Sequence, residues 1–401
     1  MKYLLKVKII LLIALAAIKL NAQQRIVFPS FWHEVVVSND NLYYEIIDKE
    51  KVLEFGFDSS YVYKNYLIGT DTIKYMNLYP SMNFDRVSLT ELTIPYKATK
   101  NSLKSMLIVF KAAEDTTESV VWSYRLNDSI NDIGLTTKHL MPFSKKINYS
   151  DSVSTMPILN TTRIVFKSNK ADSLSSFYIG GDAISNFRGR INEYMFFDEF
   201  QDLNTIRKWQ TYFGIKYGIT LTSQDYINTY GDIIWSQDSL FNKCICGIGI
   251  DTLIGLIQNS CKSESEQDLI RMFYNSQYHD NIEDGSFIVW GHDGKSTSLE
   301  YTEDSLSTFA FEKMERTWQV KVTGDSLVNI PTTIVFDNSR NLIQNPLELF
   351  LVVNRSGELD FNILDCEIFV PDSVSIIGEI FYNNINWDVD KSGSDMFTFV
   401  L

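Results

Sequence analysis

The sequence is short of the residues on which most catalytic chemistry depends. Its 401 residues include four histidines and four cysteines. His33, His139, His279 and His292 are widely scattered, and His292-Asp293 after Trp290 reads as a hydrogen-bonded turn rather than a base. There is no H-E-x-x-H and no G-x-S-x-G, which removes the zincin helix and the nucleophile elbow. Gly247-Ile-Gly249 lacks the third glycine of a dinucleotide loop, since position 252 is Thr, and its surroundings are β-rich. Basic residues are also in deficit, with Lys plus Arg at 36 against Asp plus Glu at 50, a formal charge of −14. That balance argues against binding a phosphate backbone. After residue 22 no stretch reaches the roughly 18 uninterrupted apolar residues of a membrane-spanning helix.

What the chain does have is material for large cores: 45% hydrophobic and 13% aromatic residues, with 21% charged. This excludes a disordered chain or a coiled coil. The first 22 residues read as a cleaved secretory signal, with Lys2, Lys6 and Lys8 before the apolar run Ile9 to Ile18 and Ala22 at the cut. No Cys follows that run, so no lipid anchor is indicated. The expectation is an exported protein, at the cell surface, outside the cell or in the periplasm. In that setting Cys244, Cys246, Cys261 and Cys366 raise the question of a disulfide. Cys244 or Cys246 with Cys261 is the favoured bridge, buried thiols come next, and zinc is disfavoured because no His stands at ligand spacing.

Strand signals dominate. Met106–Phe110, Val120–Tyr124, Arg163–Phe166 and Phe177–Ile179 are short β-branched or aromatic runs, and similar runs follow at Ser286–Trp290, Thr317–Val322, Thr332–Phe336 and Leu347–Val353. Residues 145–160 and 276–285 read as polar loops. One helix interrupts the pattern over 204–217, where Ile206, Trp209, Phe213 and Tyr217 fall on one stripe and Gly218 stands where a C′ glycine would end it. The predicted organisation is an all-β chain in two sandwich-like domains, 23–221 including the helix and 222–401.

Two blocks carry a resemblance. Phe177 to Phe197, with Phe187, Gly189, Ile191, Glu193 and Phe197 at the motif positions, resembles the closing strands of laminin-G-like, concanavalin A-like jelly rolls, and Tyr79–Asp85 their opening strand. The blocks Lys216-Tyr-Gly-Ile-Thr-Leu221 and Gly247-Ile-Gly-Ile-Asp251 are similar to a domain of unknown function that accompanies such jelly rolls in secreted surface proteins of Bacteroidetes. With them go Gly291-His-Asp-Gly294, Arg316-x-Trp318, Asn386-Trp-Asp388 and Gly393-Ser-Asp395. The resemblance implies export, surface display and adhesion or glycan contact. It brings no demonstrated activity.

Candidate sites are few. A glycosidase would need two carboxylates converging in one cleft, and Glu193, Asp198 and Glu199 do not meet that need on a single strand. Calcium could be held by Asp388 and Asp390, which with Ser392 and Gly393 match the opening of a calcium loop, or by Asp182 after Gly180-Gly181; position 12 of that loop, however, is Phe399. Trp122, Trp290 and Trp318 sit in apolar strands and read as core, whereas Trp32 and Trp387 have polar flanks and are the candidate sugar-stacking residues. The leading expectation is a secreted, non-catalytic binding protein for a glycan or a cell-surface protein. A hydrolase on the jelly roll and a structural spacer are the alternatives.

Overall fold

The computed structural model describes residues 31–38, 41–48, 74–84, 92–97, 103–113, 118–126, 133–141, 145–146, 158–165, 174–180 and 187–197. It also describes 201–401 apart from 223, 238, 264, 266–268, 304–309 and 359–362. The described chain is predominantly β-strand and falls into two compact units, Phe28–Asp202 with Glu264–Gln267, and Leu203–Leu401 for the rest of its length. The division at Asp202/Leu203 corrects the boundary expected at 221. The helix expected to close the first domain belongs to the second.

The N-terminal unit holds two antiparallel sheets. One contains β1 (Phe31–Ser38), β2 (Asn41–Asp48), β3 (Lys74–Met76), β4 (Tyr79–Asn83), β6 (Leu103–Ala112), β11 (Ile158–Val165) and β13 (Gly189–Phe197), with the main order β11-β6-β13-β1-β2. The other runs β10-β9-β8-β7-β12-β5, using β5 (Leu92–Lys97), β7 (Val120–Leu126), β8 (Ile133–Thr136), β9 (His139–Met141), β10 (Lys145–Lys146) and β12 (Leu174–Ile179). The expected apolar runs form the strands β6, β7, β11 and β12. Met106 to Phe110 and Trp122 are wholly buried, and Phe187 sets its ring edge-on to Phe84 and Phe110 at 5.7 and 6.0 Å. Glu193 lies on β13, fully buried opposite Val109.

The C-terminal unit opens with α1 (Leu203–Tyr217) and the hairpin β14 (Tyr226–Ile227) and β15 (Ile233–Trp235). Next come β16 (Lys243–Asp251), β17 (Leu256–Gln258), β18 (Ser260–Lys262), β19 (Ile270–Tyr274), β20 (Ser286–His292), β21 (Leu299–Glu303), β22 (Ala310–Met314) and β23 (Trp318–Thr323). β24 (Thr332–Asp337), β25 (Phe350–Asn354), β26 (Glu367–Phe369), β27 (Ser373–Val374), β28 (Glu379–Ile385) and β29 (Asp395–Val400) complete it. Nine of these strands form one sheet, β17-β16-β20-β23-β29-β22-β21 with β25 attached to β29 and β26 to β25, and five form the second, β18-β19-β24-β28-β27. Alternation on the strands sends Ile248, Trp290, Val320 and Phe397 from the first sheet, and Met272, Ile334, Ile380 and Tyr382 from the second, into one core. The result is a β-sandwich. The loop expected over 276–285 contains a 3₁₀ turn, Ser276–Asn281, whose Asn275 side chain accepts from Gln277 N.

The helix is more deeply buried than a single apolar stripe requires. Ile206, Trp209, Phe213 and Tyr217 are buried as expected, but so are Lys208, Thr211 and Lys216. Each of these polar side chains finds an internal partner, which offsets the cost of its burial. Lys208 Nζ donates to Thr229 O at 2.5 Å, Thr211 Oγ1 accepts from Ile227 N at 2.9 Å, and Lys216 Nζ donates to Tyr212 OH at 2.7 Å. The two distinctive blocks of the sequence turn out to be one packing unit. Gly218 takes the left-handed conformation that ends the helix (φ 60°), and a Cβ there would sit 2.3 Å from Lys262 O. Thr220 Oγ1 accepts from Ile245 N, bracing the bulge in β16, and Ile215 packs where a side chain on Gly247 would have to go.

Candidate functional site

Among the described residues, those singled out in the sequence do not converge on one site. Trp387 is wholly buried, its Nε1 donating to Thr332 Oγ1 at 2.8 Å and its ring lying 5.7 Å from Phe397. It is a core residue and not a stacking platform, which corrects that expectation. The polar sequence flanking it belongs to a turn folded back over it. The Trp32 side chain and Asp182 lie outside the described residues, as do Asp198 and Glu199.

Asp388 and Asp390 spend oxygens on their own turn: Asp388 Oδ1 accepts from Gly393 N at 2.7 Å and Asp390 Oδ1 from Ser392 N at 3.1 Å. No group of three His, Cys, Asp or Glu able to hold a metal ion occurs among the described residues. The Asp390–Ser392 bond makes this segment an Asx-type turn. The expected bridge of Cys244 or Cys246 to Cys261 is likewise corrected: all four cysteines are thiols. Cys246 and Cys261 are buried in the sandwich core, and Cys261 Sγ donates to Ile215 O at 3.5 Å. Trp122, Trp290 and Trp318 are core as expected. His292 Nδ1 accepts from Gly294 N at 2.9 Å, and burial beside Arg316 and Lys243 lowers its pKa to about 3, so the ring stays neutral.

Two buried carboxyl networks escaped the sequence reading. At the end of β16, Asp251 accepts from Thr229 N (2.9 Å) and Thr229 Oγ1 (2.6 Å), holding the turn after β14. Desolvation raises its pKa to about 6 despite those bonds. Asp284 completes the clamp, accepting from Thr252 N and from Tyr230 OH, both at 2.6 Å. In the second network Arg355 Nη1 donates to Asp395 Oδ2 (2.8 Å) and Asn386 O (2.7 Å), while Nε and Nη2 grip Glu367 Oε2. The guanidinium also lies 5.9 Å from the Trp387 ring. Asp395 is wholly buried, takes a further bond from Asp388 N, and has its pKa pushed up to about 6 by desolvation. The only sequence signal for either network is an Asp closing an apolar strand or following a Gly-Ser turn.

Beside the Arg355 network lies a cleft of about 530 Å³ on the outer face of the nine-stranded sheet. Gln319 and Met396, opposite each other on β23 and β29, form its floor. Ser239, Leu240 and Phe241 make one wall and Glu358 the other. Hydrogen bonds tie the walls to the floor and to their own turns: Ser239 Oγ donates to Gln319 Oε1 (3.1 Å), Gln319 Nε2 to Ser394 Oγ (3.4 Å), and Asn354 Nδ2 to Glu358 O (3.0 Å). Leu240 is 67% exposed, an apolar side chain held out at the rim. The cleft thus combines an apolar wall with an amide, a hydroxyl and one carboxylate on rigid strands and tight turns.

Residues 205–391 match a family described as a domain of unknown function (DUF8202). No curated protein matches the chain. Among solved structures it is similar to a cycloisomaltooligosaccharide glucanotransferase of Paenibacillus sp. complexed with cycloisomaltoheptaose, at 6% identity and TM-score 0.18. That match covers 82% of this chain and 43% of the glucanotransferase, so the chain spans less than half of that protein's length. It is also similar to the N-terminal CBM22-1-CBM22-2 tandem domain of Paenibacillus barcinonensis Xyn10C, at 9% identity and TM-score 0.17, covering 76% of this chain and 74% of that one.

Proposed function

We propose that the chain is an exported, non-catalytic binding protein whose C-terminal sandwich takes a glycan in the Ser239–Met396 cleft. The observation that carries this reading is the pairing of an exposed apolar rim, Leu240, with Gln319, Ser239 and Glu358 in one rigid cleft. A sugar ring presents the complementary surfaces, an apolar C–H face bordered by hydroxyls that want fixed donors and acceptors. The N-terminal unit, with the laminin-G-like pattern of its closing strands, belongs to the same secreted surface protein in this reading.

The alternative, a glycoside hydrolase, requires two carboxyl groups flanking the bond to be cut. Glu358 is the one carboxylate among the described residues lining the cleft, which favours binding over hydrolysis. A glycan array probed with the chain from residue 23 onward tests the reading. Selective binding that Leu240→Asp and Gln319→Ala both weaken at least tenfold, without release of new reducing ends, is the expected result. Binding indifferent to both substitutions would remove the cleft from consideration, and turnover of the bound sugar would replace the binding protein with the enzyme.

A further inference from the structure

The amide on the floor of the cleft has half of its hydrogen-bonding capacity in use. Ser239 Oγ accepts from Phe241 N at 3.1 Å and gives its one proton to Gln319 Oε1, also at 3.1 Å. At the other end Gln319 Nε2 donates to Ser394 Oγ at 3.4 Å. A glutamine amide carries two N–H donors and two carbonyl lone pairs. The two serines take one of each, so one N–H and one lone pair remain, side by side on one planar group. Gln319 is half-buried and lines the cleft, so that pair is what it offers a ligand.

Among the described side chains lining the cleft, no other offers a donor and an acceptor together. Ser239 has spent its proton and can only accept, and the Glu358 carboxylate also only accepts. Lys321, two residues along β23 on the same face of the strand, only donates. A neighbouring donor and acceptor on one rigid plane match a group that is itself a neighbouring acceptor and donor, as when glutamine reads the edge of adenine. On a sugar ring that group is a pair of free hydroxyls on adjacent carbons, one donating to Oε1 while the other accepts from Nε2. A lone hydroxyl engages half of the amide. Met396 stands directly opposite Gln319 and is 4% exposed, so a ring with its diol edge on the amide lays C–H groups over an apolar floor.

We propose that Gln319 is the specificity-determining residue of the cleft, and that it selects glycan chains whose internal units carry a free vicinal diol. Chains linked 1,4 keep that diol at C2 and C3; chains linked 1,3 use O3 and leave no two neighbouring hydroxyls free. The selection rests on the glycan reading of the cleft given above and names the class of glycan it takes. Ser239 and Ser394 are positioning residues: they hold the amide plane at both ends, so little rotational freedom is lost when the ligand docks.

Affinity electrophoresis of the full chain through gels containing β-1,4-glucan, β-1,4-xylan, β-1,4-mannan, α-1,4-glucan or β-1,3-glucan tests this, with Gln319→Glu and Ser394→Ala beside the wild type. Long polymers keep chain ends, which carry extra free hydroxyls, to a negligible share. Glutamate retains the size, the acceptor and the reach to both serines but removes the N–H, and an unchanged thermal transition shows that the fold is kept. The expected result is retardation by at least one 1,4-linked polymer and none by β-1,3-glucan, with at least a tenfold loss of affinity in Gln319→Glu. Periodate, which cleaves between neighbouring free hydroxyls, should abolish the retardation when the polymer is treated beforehand. Ser394→Ala should narrow the preference between linkages without shifting the thermal transition; an unchanged preference would remove it as a positioning residue. Retardation by β-1,3-glucan as strong as by the 1,4-linked chains, or full affinity in Gln319→Glu, would overturn the diol selection while leaving a glycan-binding cleft. Retardation by none of the polymers would overturn both.

Discussion

Replacing Arg355 by methionine tests the reading of the Arg355–Asp395 pair as a buried ion pair that ties β25, β26, the 386–388 turn and β29 together. The substitution retains the apolar stem but removes five donors from a site where Asp395 has no access to water. Breaking a buried pair from one side costs about 3–5 kcal/mol, because the remaining charge is left without its partner. For a unit of this size that lowers the melting temperature by about 6–20 °C at pH 7.5.

The cost also depends on pH, in a direction set by Asp395. Its folded pKa, about 6, stands above the unfolded value near 3.9, so the folded state binds the proton more tightly. The stability this carboxyl contributes is complete below about pH 4 and is lost as the pH rises through about 6. Near pH 5 the carboxyl is largely protonated in the fold, and losing Arg355 then removes only hydrogen bonds, about 1–2 kcal/mol. Denaturant titrations of wild type and Arg355→Met at pH 5 and 7.5 measure both numbers. Asp395→Asn added to the variant should recover most of the loss at pH 7.5. Equal costs at the two pH values, or a neutral-pH cost below about 1 kcal/mol, would refute a buried Asp395 coupled to Arg355.

Four further outcomes are expected. Asp251→Asn should flatten the fall in stability between pH 4 and 7, since its carboxyl also titrates at about 6 in the fold; an unchanged pH profile would place Asp251 in contact with water. Gly247→Val forces Cγ atoms against Ile215, whose Cδ1 already stands 2.7 Å from an ideal Cβ, and should cost about 1–3 kcal/mol by equilibrium unfolding, with loss of helix signal in the same transition. Unfolding in denaturant without reductant should expose four reactive thiols per chain, with Cys366 slow in the folded state because burial pushes its pKa up to about 11; a count of two would reinstate a bridge. Adding a chelator should leave the melting temperature unchanged, because Asp388 and Asp390 are engaged with backbone N–H groups; a fall of several degrees would restore calcium to that turn.

The all-β class, the helix ending at Gly218 and the core tryptophans Trp122, Trp290 and Trp318 are local properties, which is why they could be read directly from the chain. They follow from β-branched runs, from the spacing of Ile206, Trp209, Phe213 and Tyr217, and from glycine's tolerance of positive φ. Trp387 shows where that legibility stops. Its neighbours Asn386 and Asp388 are polar, yet the turn they form buries the ring against Phe397, because the turn's backbone is bonded to Arg355 and Asp395 through Asn386 O and Asp388 N, and Asp388 Oδ1 accepts from Gly393 N.

The same physics moved the domain boundary. Lys208 looks like part of the solvated side of an amphipathic helix until the distant partner that lets it be buried, Thr229 O, is in place. The cleft was further still from sequence, since Gln319, Leu240 and Glu358 come from three separated segments and none belongs to a recognisable motif. Periodicity and turn chemistry are short-range and were written into neighbouring residues. The satisfaction of buried charge and the making of a cleft depend on which distant segments meet, and the packing of the two sheets decides that.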